Sequence, residues 1–429
     1  MHDARMLLDP NTDAKRRLAR RRLDLDLGQV EELLSARNSA IGAADGGRAE
    51  AKRTASEVQT AARRGEDTAT LVARAKALKE EIAAAEERAA EATATLRELM
   101  LGIPNLPSDT APEGMTEDDA LEVRSSGPPP SFDFTPRDHV ELGEATGILD
   151  FPRATKLAGP RFTVARGVGA ALERALATFF LDLHTRRHGY TEYSVPYLVN
   201  RETMTGTGQL PKFEQDLFAT AVGARELFLV PTAEVPLTNL HADEILPADA
   251  LPLALTSYTP CFRSEAGSYG RDTRGILRLH QFAKVELVRL CRAEDSTAQL
   301  EEMVRHAEAC LSELGLAYRV VALAAGDLGF SAQFTYDLEV WLPSQERYRE
   351  ISSCSDCGTF QARRANIRVR GADNRREFVA TLNGSGLPIG RTMAALLEQG
   401  QRADGSVRLP EALVPYLGFS VIEADGSTS

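Results

Sequence analysis

Between Thr259 and Val288 the chain reads TPCFRSEAGSYGRDTRGILRLHQFAKVELV, a run of arginines, glutamates and phenylalanine set among strand-forming residues. With a strand's period of two, one face of ILRLHQFAKVEL carries Arg278, His280, Phe282, Lys284 and Glu286. The other carries Leu277, Leu279, Gln281, Ala283, Val285 and Leu287, an apolar side for helices to cover. The preceding strand sets Arg263 and Glu265 on a common face, and AGSYGRDTRG between them reads as a basic, glycine-punctuated hairpin loop. Charge at a sheet is costly unless it is paired or meets a charged ligand. A guanidinium fork suits a phosphate, a carboxylate suits an amine or a divalent cation, and an aromatic among charges offers a stacking face to a planar base. An ion-pair network with no ligand accounts for the same pattern, and alternation alone does not separate the two readings.

Three more stretches carry chemistry. TLNGSGLPIGRTMAALLEQGQ reads as strand, glycine loop and an amphipathic helix starting near Arg391, so that an arginine and a helix N-terminus make an anion site. LFLVPTAEVPLTNL supplies Thr232 and Glu234 on one strand face, and RYREISSCSDCGTF supplies Glu350 followed by Ser352 and Ser353. Cys354 and Cys357 form a lone CxxC, read as two reduced thiols with no metal. His280, also on the polar face, is read as structural.

These residues need a scaffold. At 429 residues the chain is long enough for two domains. Its composition, 43% hydrophobic and 26% charged, is that of an ordinary globular protein. No apolar run reaches membrane-spanning length and the N-terminus lacks a signal-peptide core, so the expectation is a cytoplasmic protein with no membrane partner. A net charge of −12 argues against nonspecific nucleic-acid binding by the whole surface, while AKRRLARRRLDLDL leaves a local basic contact open. Neither GxGxxG nor GxxxxGK[ST] occurs, so a nucleotide would need another cradle.

Residues 28–100 are rich in Ala, Glu, Arg and Lys and contain no proline. Small or apolar residues recur at spacings of three and four through Leu71, Ala75, Leu78, Ile82, Ala85, Ala89, Ala92, Leu96 and Leu99. A weaker seam runs through Val30, Leu34, Ile41, Ala44, Ala51, Ala55, Val58 and Ala62, with RRGED as the break between two helices. Helices of about 33 residues reach roughly 50 Å, so the pair reads as a projecting hairpin. Gly46 and Gly47 in the first helix read as a cost of about 1 kcal/mol each and as a source of flexibility.

With these residues in view, the chain resembles the seryl-tRNA synthetases, class II aminoacyl-tRNA synthetases. TPCFRSEAGSYGRDTRGILRLHQF is similar to the family's second class-defining motif, NGSGLPIGRTMAALLE to the third, and GYTEYSVPYLVN, with Pro196, to the first. TGTGQLPKF, PTAEVPLTNL, TYDLEVWLP, YREISSC and FQARR are family-like blocks in the expected order. The resemblance implies an α+β protein: an N-terminal domain (1–110) whose long antiparallel helical hairpin grips tRNA, a linker (111–134), and a catalytic domain (135–429) on a mostly antiparallel sheet flanked by helices. It implies that the chain activates L-serine with ATP to seryl-adenylate and transfers the seryl group to tRNA(Ser), as a homodimer using Mg2+. Arg263 and Arg391 would be catalytic, on the α- and γ-phosphates. ATP would meet Arg263, Ser264, Glu265, Arg278, Phe282, Glu350, Ile351, Ser352, Ser353 and Arg391, with Glu350 and Ser353 beside the metal. Serine would meet Thr232, Ala233, Glu234, Arg263, Glu286, Asn383 and Ser385. Thr205, Ala283, Phe334 and Gly400 depart from the usual pattern, which leaves room for a divergent second copy tolerant of a serine-mimicking inhibitor or feeding a specialised pathway. A non-catalytic tRNA-binding paralogue and a ligase loading a carrier protein are the readings of another class.

Overall fold

The computed structural model describes residues 1–23, 26–266, 274–371 and 374–429. Seven residues of the basic loop, 267–273, lie outside the described residues. Two compact units divide the chain, Met1–Pro104 and Asn105–Ser429.

In the first unit, helices α1 (Gly28–Arg64) and α2 (Ala69–Leu101) run against each other. Gly65, at φ 74°, ends α1 by donating its N–H to the Ala61 and Ala62 carbonyls, a left-handed cap that only glycine adopts without strain. Every seam residue expected on α2 is buried or half-buried, with Leu78, Ala85 and Leu96 deepest. On α1 the expected seam slips by one residue. Ile41, Ala55 and Ala62 are exposed, and Ala40, Thr54 and Ala61 are buried in their place. The observed seam keeps its spacing of three and four by passing through Arg37, Gly47 and Thr54, types that an apolar pattern skips. Gly47 is a contact position, since a Cβ there would lie 2.8 Å from Ile82 Cγ1, whereas one at Gly46 would meet nothing within 4 Å. Close approach explains one of the two glycines. Arg48 pairs with Glu86 at 2.5 Å and Arg74 with Glu50 at 2.8 Å across the hairpin, exposed contacts worth little each.

In the second unit the described residues form an eight-stranded sheet from β1 (Leu121–Ser126), β2 (Thr191–Glu192), β3 (Leu253–Phe262), β4 (Gln281–Cys291), β5 (Tyr318–Ala322), β6 (Phe334–Leu342), β7 (Arg347–Asp356) and β8 (Ala380–Pro388). The order is β1-β5-β6-β7-β8-β4-β3-β2, antiparallel throughout except for β2 beside β3. The stretch expected as a linker thus contributes an edge strand. The larger core cluster lies on one face of the sheet, and a smaller one, with Val288 and Leu290 of β4 and Leu255 of β3, lies on the other. In the larger cluster Val285 and Leu287 of β4 are fully buried with Leu172, Leu176 and Phe180 of α3 (Val168–Arg186), Met303 and Ala307 of α4 (Ser296–Glu313), and Met393 and Leu397 of α5 (Ile389–Gly400). Ala283 packs on the same cluster, and Phe334 sits edge-on to Tyr336 with centroids 4.9 Å apart. A Cβ at Gly400 would lie 2.3 Å from the Arg408 carbonyl oxygen, so this backbone admits no tyrosine there.

A histidine cluster closes one end of that core. His184 Nδ1 is 3.1 Å from His188 Nδ1, His188 stacks on His306 at 4.1 Å, and Cys310 Sγ is 3.4 Å from His184 Nε2. Tyr190, Arg187, Arg289, Arg305, Glu302 and Glu313 surround it. Burial holds His184 at about 3 and His306 at about 4, below their ordinary 6.5, and holds His188 low as well. As pH falls through 6.5 the unfolded chain takes up these protons first. The stabilisation is therefore whole above pH 6.5 and is lost as pH falls toward 4. Urea midpoints measured from pH 7 to 4.5 should fall steeply. His306→Asn should make that fall shallower, and an unchanged slope would refute this assignment.

Candidate active site

The charged residues converge on the sheet face opposite the larger core cluster. A cavity of about 250 Å³ is lined by Thr232, Glu234, Arg263, Glu265, Arg278, Phe282, Lys284, Glu350, Ile351, Ser353, Asn383, Ser385 and Arg391, and it adjoins a larger one of about 710 Å³. Alternation places Phe282, Lys284 and Glu286 of β4 on this side, as expected, with Val285 and Leu287 in the core behind them.

Several local expectations need correction. β4 starts at Gln281, so Arg278 and His280 precede it, and β3 ends at Phe262, so Arg263 and Glu265 lie beyond it. Glu265 takes a left-handed φ of 53° and reaches Arg278, whose Nη1 donates to Glu265 Oε2 at 2.6 Å. Thr232 and Glu234 are not on a strand. Their strand stops at Leu229, and Glu234 opens the short helix Glu234–Asn239. NGSGLP is not a glycine loop but the end of β8, which carries Asn383 and Ser385 to the cavity, and α5 follows at once with Arg391 in its first turn.

Glu350 and Ser353 are three residues apart, a spacing that puts strand residues on opposite faces. The structure brings both to the cavity through a bulge. Ser352 pairs with Leu338 and Glu350 with Glu339, leaving Ile351 as the extra residue. Ser352 turns the other way, its hydroxyl donating to the Ser385 carbonyl at 2.8 Å. Ser264 is also turned aside, its hydroxyl on the Gln215 carbonyl, and Ala233 is fully buried. His280 has its Nδ1 3.0 Å from the Arg263 carbonyl oxygen and its ring near Phe162 and Phe218.

The cavity has two ends of different chemistry. At one, Arg263 lies over the Phe282 ring at 5.1 Å with its Nε donating to the Pro231 carbonyl, and Arg391 meets Glu350 Oε1 at 3.2 Å. Arg391, then Arg263 and Arg278, hold the Glu350 carboxyl below its usual range. At the other end, Thr232 Oγ1 donates to Glu286 Oε2 at 2.9 Å, and Lys284 forms an ion pair with the same carboxylate. Glu286 is fully buried, and among the described residues its Oε1 has no hydrogen-bond partner. Burial, with Glu286 beside it, pushes the Glu234 carboxyl up to about 7, and Gln361 Nε2 donates to Glu234 Oε1 at 2.6 Å.

Three participants escaped the sequence reading. Lys284 was on the polar face but had no role, and it neutralises Glu286. Gln361 is held by Thr381, whose hydroxyl donates to Gln361 Oε1 at 2.6 Å, and nothing local in FQARR signals its reach to Glu234. Asp337 sits directly opposite Ser353 across the β6–β7 ladder and accepts from its hydroxyl, while burial and Glu350 push its carboxyl up. Only strand pairing could have found it.

A family model described as the seryl-tRNA synthetase N-terminal domain matches residues 1–107, and one described as the tRNA synthetase class II core domain (G, H, P, S and T) matches residues 218–400. The chain is 62% identical over 430 residues to serine–tRNA ligase 2 of Streptomyces avermitilis, covering 100% of both. It is 53% identical over 419 residues to the serine–tRNA ligase of Nitratidesulfovibrio vulgaris, covering 97% of this chain and 98% of the relative. Among solved structures, the seryl-tRNA synthetase from Pyrococcus horikoshii complexed with ATP matches with a TM-score of 0.90 at 33% identity, over 99% of each chain. The cytoplasmic serine–tRNA ligase from Naegleria fowleri in complex with AMP matches with a TM-score of 0.86 at 25% identity, also over 99% of each.

Proposed function

Because this chain belongs to the seryl-tRNA synthetase family and is a serine–tRNA ligase, we propose that the two-ended cavity beside β4 and β8 is where serine and ATP react. The serine carboxylate oxygen bonds to the α-phosphorus of ATP, and the bond to the bridging oxygen breaks as pyrophosphate leaves with the electron pair. A hydroxyl of the terminal tRNA ribose then bonds to the seryl carbonyl carbon. AMP leaves, taking up that hydroxyl's proton. Both steps depend on positioning and charge neutralisation more than on covalent work by the protein.

The carrying observation is the division of the cavity into a guanidinium end and a carboxylate end. ATP lies toward Arg263, Arg278 and Arg391, with its adenine on Phe282 beside Glu265 and its α- and γ-phosphates toward Arg263 and Arg391. Serine lies toward Thr232, Glu234 and Glu286, its hydroxyl near Asn383 and Ser385. Groups that hydrogen-bond that hydroxyl would be left unpaired by alanine, which penalises alanine. Homologues in complex with ATP and with AMP support the nucleotide assignment.

Glu350 and Ser353 fit a magnesium ion, because the bulge at Ile351 turns a carboxylate and a hydroxyl to the same side and Glu350 is half exposed to the cavity. Bound there, the ion would screen phosphate charge. The α1–α2 hairpin is assigned to the tRNA, the chain to a homodimer and the protein to the cytoplasm.

Glu350→Gln tests the metal assignment. The Mg2+ concentration that half-saturates serine-dependent ATP–pyrophosphate exchange should rise about ten- to hundredfold, and Mn2+ bound with a non-hydrolysable ATP analogue should weaken in parallel by paramagnetic resonance. An unchanged Mg2+ requirement would remove Glu350 from the metal site.

A further inference from the structure

Glu234 stands at the serine end of the cavity, and the group that fixes it lies behind the wall. Gln361, in the short helix Phe360–Ala365, is fully buried and is not a lining residue. Its side-chain amide ties three elements together. Nε2 donates to Glu234 Oε1 at 2.6 Å and to the carbonyl of Thr207, the last residue of the helix Arg201–Thr207, at 3.1 Å. Oε1 accepts from the Thr381 hydroxyl of β8 at 2.6 Å. A carbonyl can only accept, so Thr207 fixes which end of the amide carries the N–H groups. The amide therefore presents an N–H, not its oxygen, to Glu234. Thr207 is held in turn, because Ser331 Oγ also donates to its carbonyl at 2.9 Å.

The charges around Glu234 make that donor consequential. Glu286 and Lys284 face it from β4 and Arg263 from beyond β3, while Arg364, three residues along from Gln361, directs its Nη1 to the Thr205 and Leu210 carbonyls. Burial and Glu286 press Glu234 toward the neutral acid, and the Gln361 donor, then Lys284 and Arg263, oppose them. As a neutral acid Glu234 would be a weaker acceptor for the amino acid.

We propose that Gln361 is a positioning residue for the amino acid, holding Glu234 in place as a carboxylate that accepts from serine without itself touching serine. Thr381 holds Gln361 in the same sense, one step further out. The proposal rests on the serine site assigned above, and Glu234→Gln separates the two.

Gln361→Met keeps the volume and removes the donor, and Thr381→Val keeps the shape and removes the hydroxyl that holds Gln361. Each is compared with the unaltered chain in serine-dependent ATP–pyrophosphate exchange between about pH 6 and pH 8.5. Near pH 6.5, kcat/KM for serine should fall about tenfold in Gln361→Met and about threefold in Thr381→Val, the scale of one hydrogen bond to a charged group, with KM for ATP within about twofold. Without the donor Glu234 needs a higher pH to ionise, so the deficit should shrink to within about twofold near pH 8.5 as the ascending limb of the serine profile moves up. A deficit of the same size at every pH, or an equal loss for serine and ATP, overturns the proposal and leaves Gln361 as scaffold. Unaltered kcat/KM for serine in both variants overturns it too. Should Gln361→Met not fold, the Thr381→Val profile alone decides. Unaltered kcat/KM for serine in Glu234→Gln strikes down the serine site and this inference together, whereas a loss there beside an unaltered Gln361→Met removes this inference alone.

Discussion

Arg263→Ala should lower the rate of serine-dependent ATP–pyrophosphate exchange by about a thousandfold or more, while the urea midpoint changes little. Arg263 has its Nε fixed on the Pro231 carbonyl at 3.2 Å and its plane against Phe282, so its orientation is set before substrate arrives. A preorganised guanidinium at a phosphoryl centre contributes on the order of 10³ in rate or more, because the charge that develops on the phosphate meets a donor already in place. Arg263→Lys keeps the charge but loses the fork, and it should recover only part of the rate. A loss below about tenfold for the alanine variant would mean that Arg263 contacts something other than the reacting phosphate.

Glu286→Gln should lower kcat/KM for serine by about a hundredfold or more and leave KM for ATP within about threefold. Glu286 Oε2 is engaged by Thr232 and Lys284, and Oε1 faces no partner among the described residues. That leaves one buried acceptor for a donor on the amino acid. An amide cannot neutralise Lys284, and breaking a buried ion pair costs about 3–5 kcal/mol, so the variant should also unfold at lower urea. Stability alone would depress both substrates equally. The split between serine and ATP is therefore the informative readout, and an equal loss for both would assign Glu286 to the scaffold.

How much of this was legible depended on the local geometry of each element. On β4, Phe282, Lys284 and Glu286 fell where the period of two put them, because the strand is regular there and Val285 and Leu287 alternate with them into the larger core cluster. On β7 the bulge at Ile351 breaks the period, so no alternation pattern could bring Glu350 and Ser353 together. Thr232 and Glu234 lie between a strand and a short helix, where period two has no meaning. The hairpin seam slipped at Ile41, Ala55 and Ala62 because Arg37, Gly47 and Thr54 are seam positions that carry no apolar side chain. Gln361 and Glu234 are 127 residues apart, and only the folded chain joins them. The individual roles came from motif resemblance; physical chemistry supplied the reason that arginines and glutamates share one face.

In the proposed arrangement a single cavity holds the nucleotide by guanidinium groups at one end and serine by carboxylates at the other. A crystal structure with a non-hydrolysable seryl-adenylate analogue tests it most directly. It should show the phosphate mimic at Arg263, the adenine against Phe282 and the seryl group between Thr232, Glu286 and Ser385. An analogue bound in the reverse direction, or away from Arg263 and Glu286, would contradict the account.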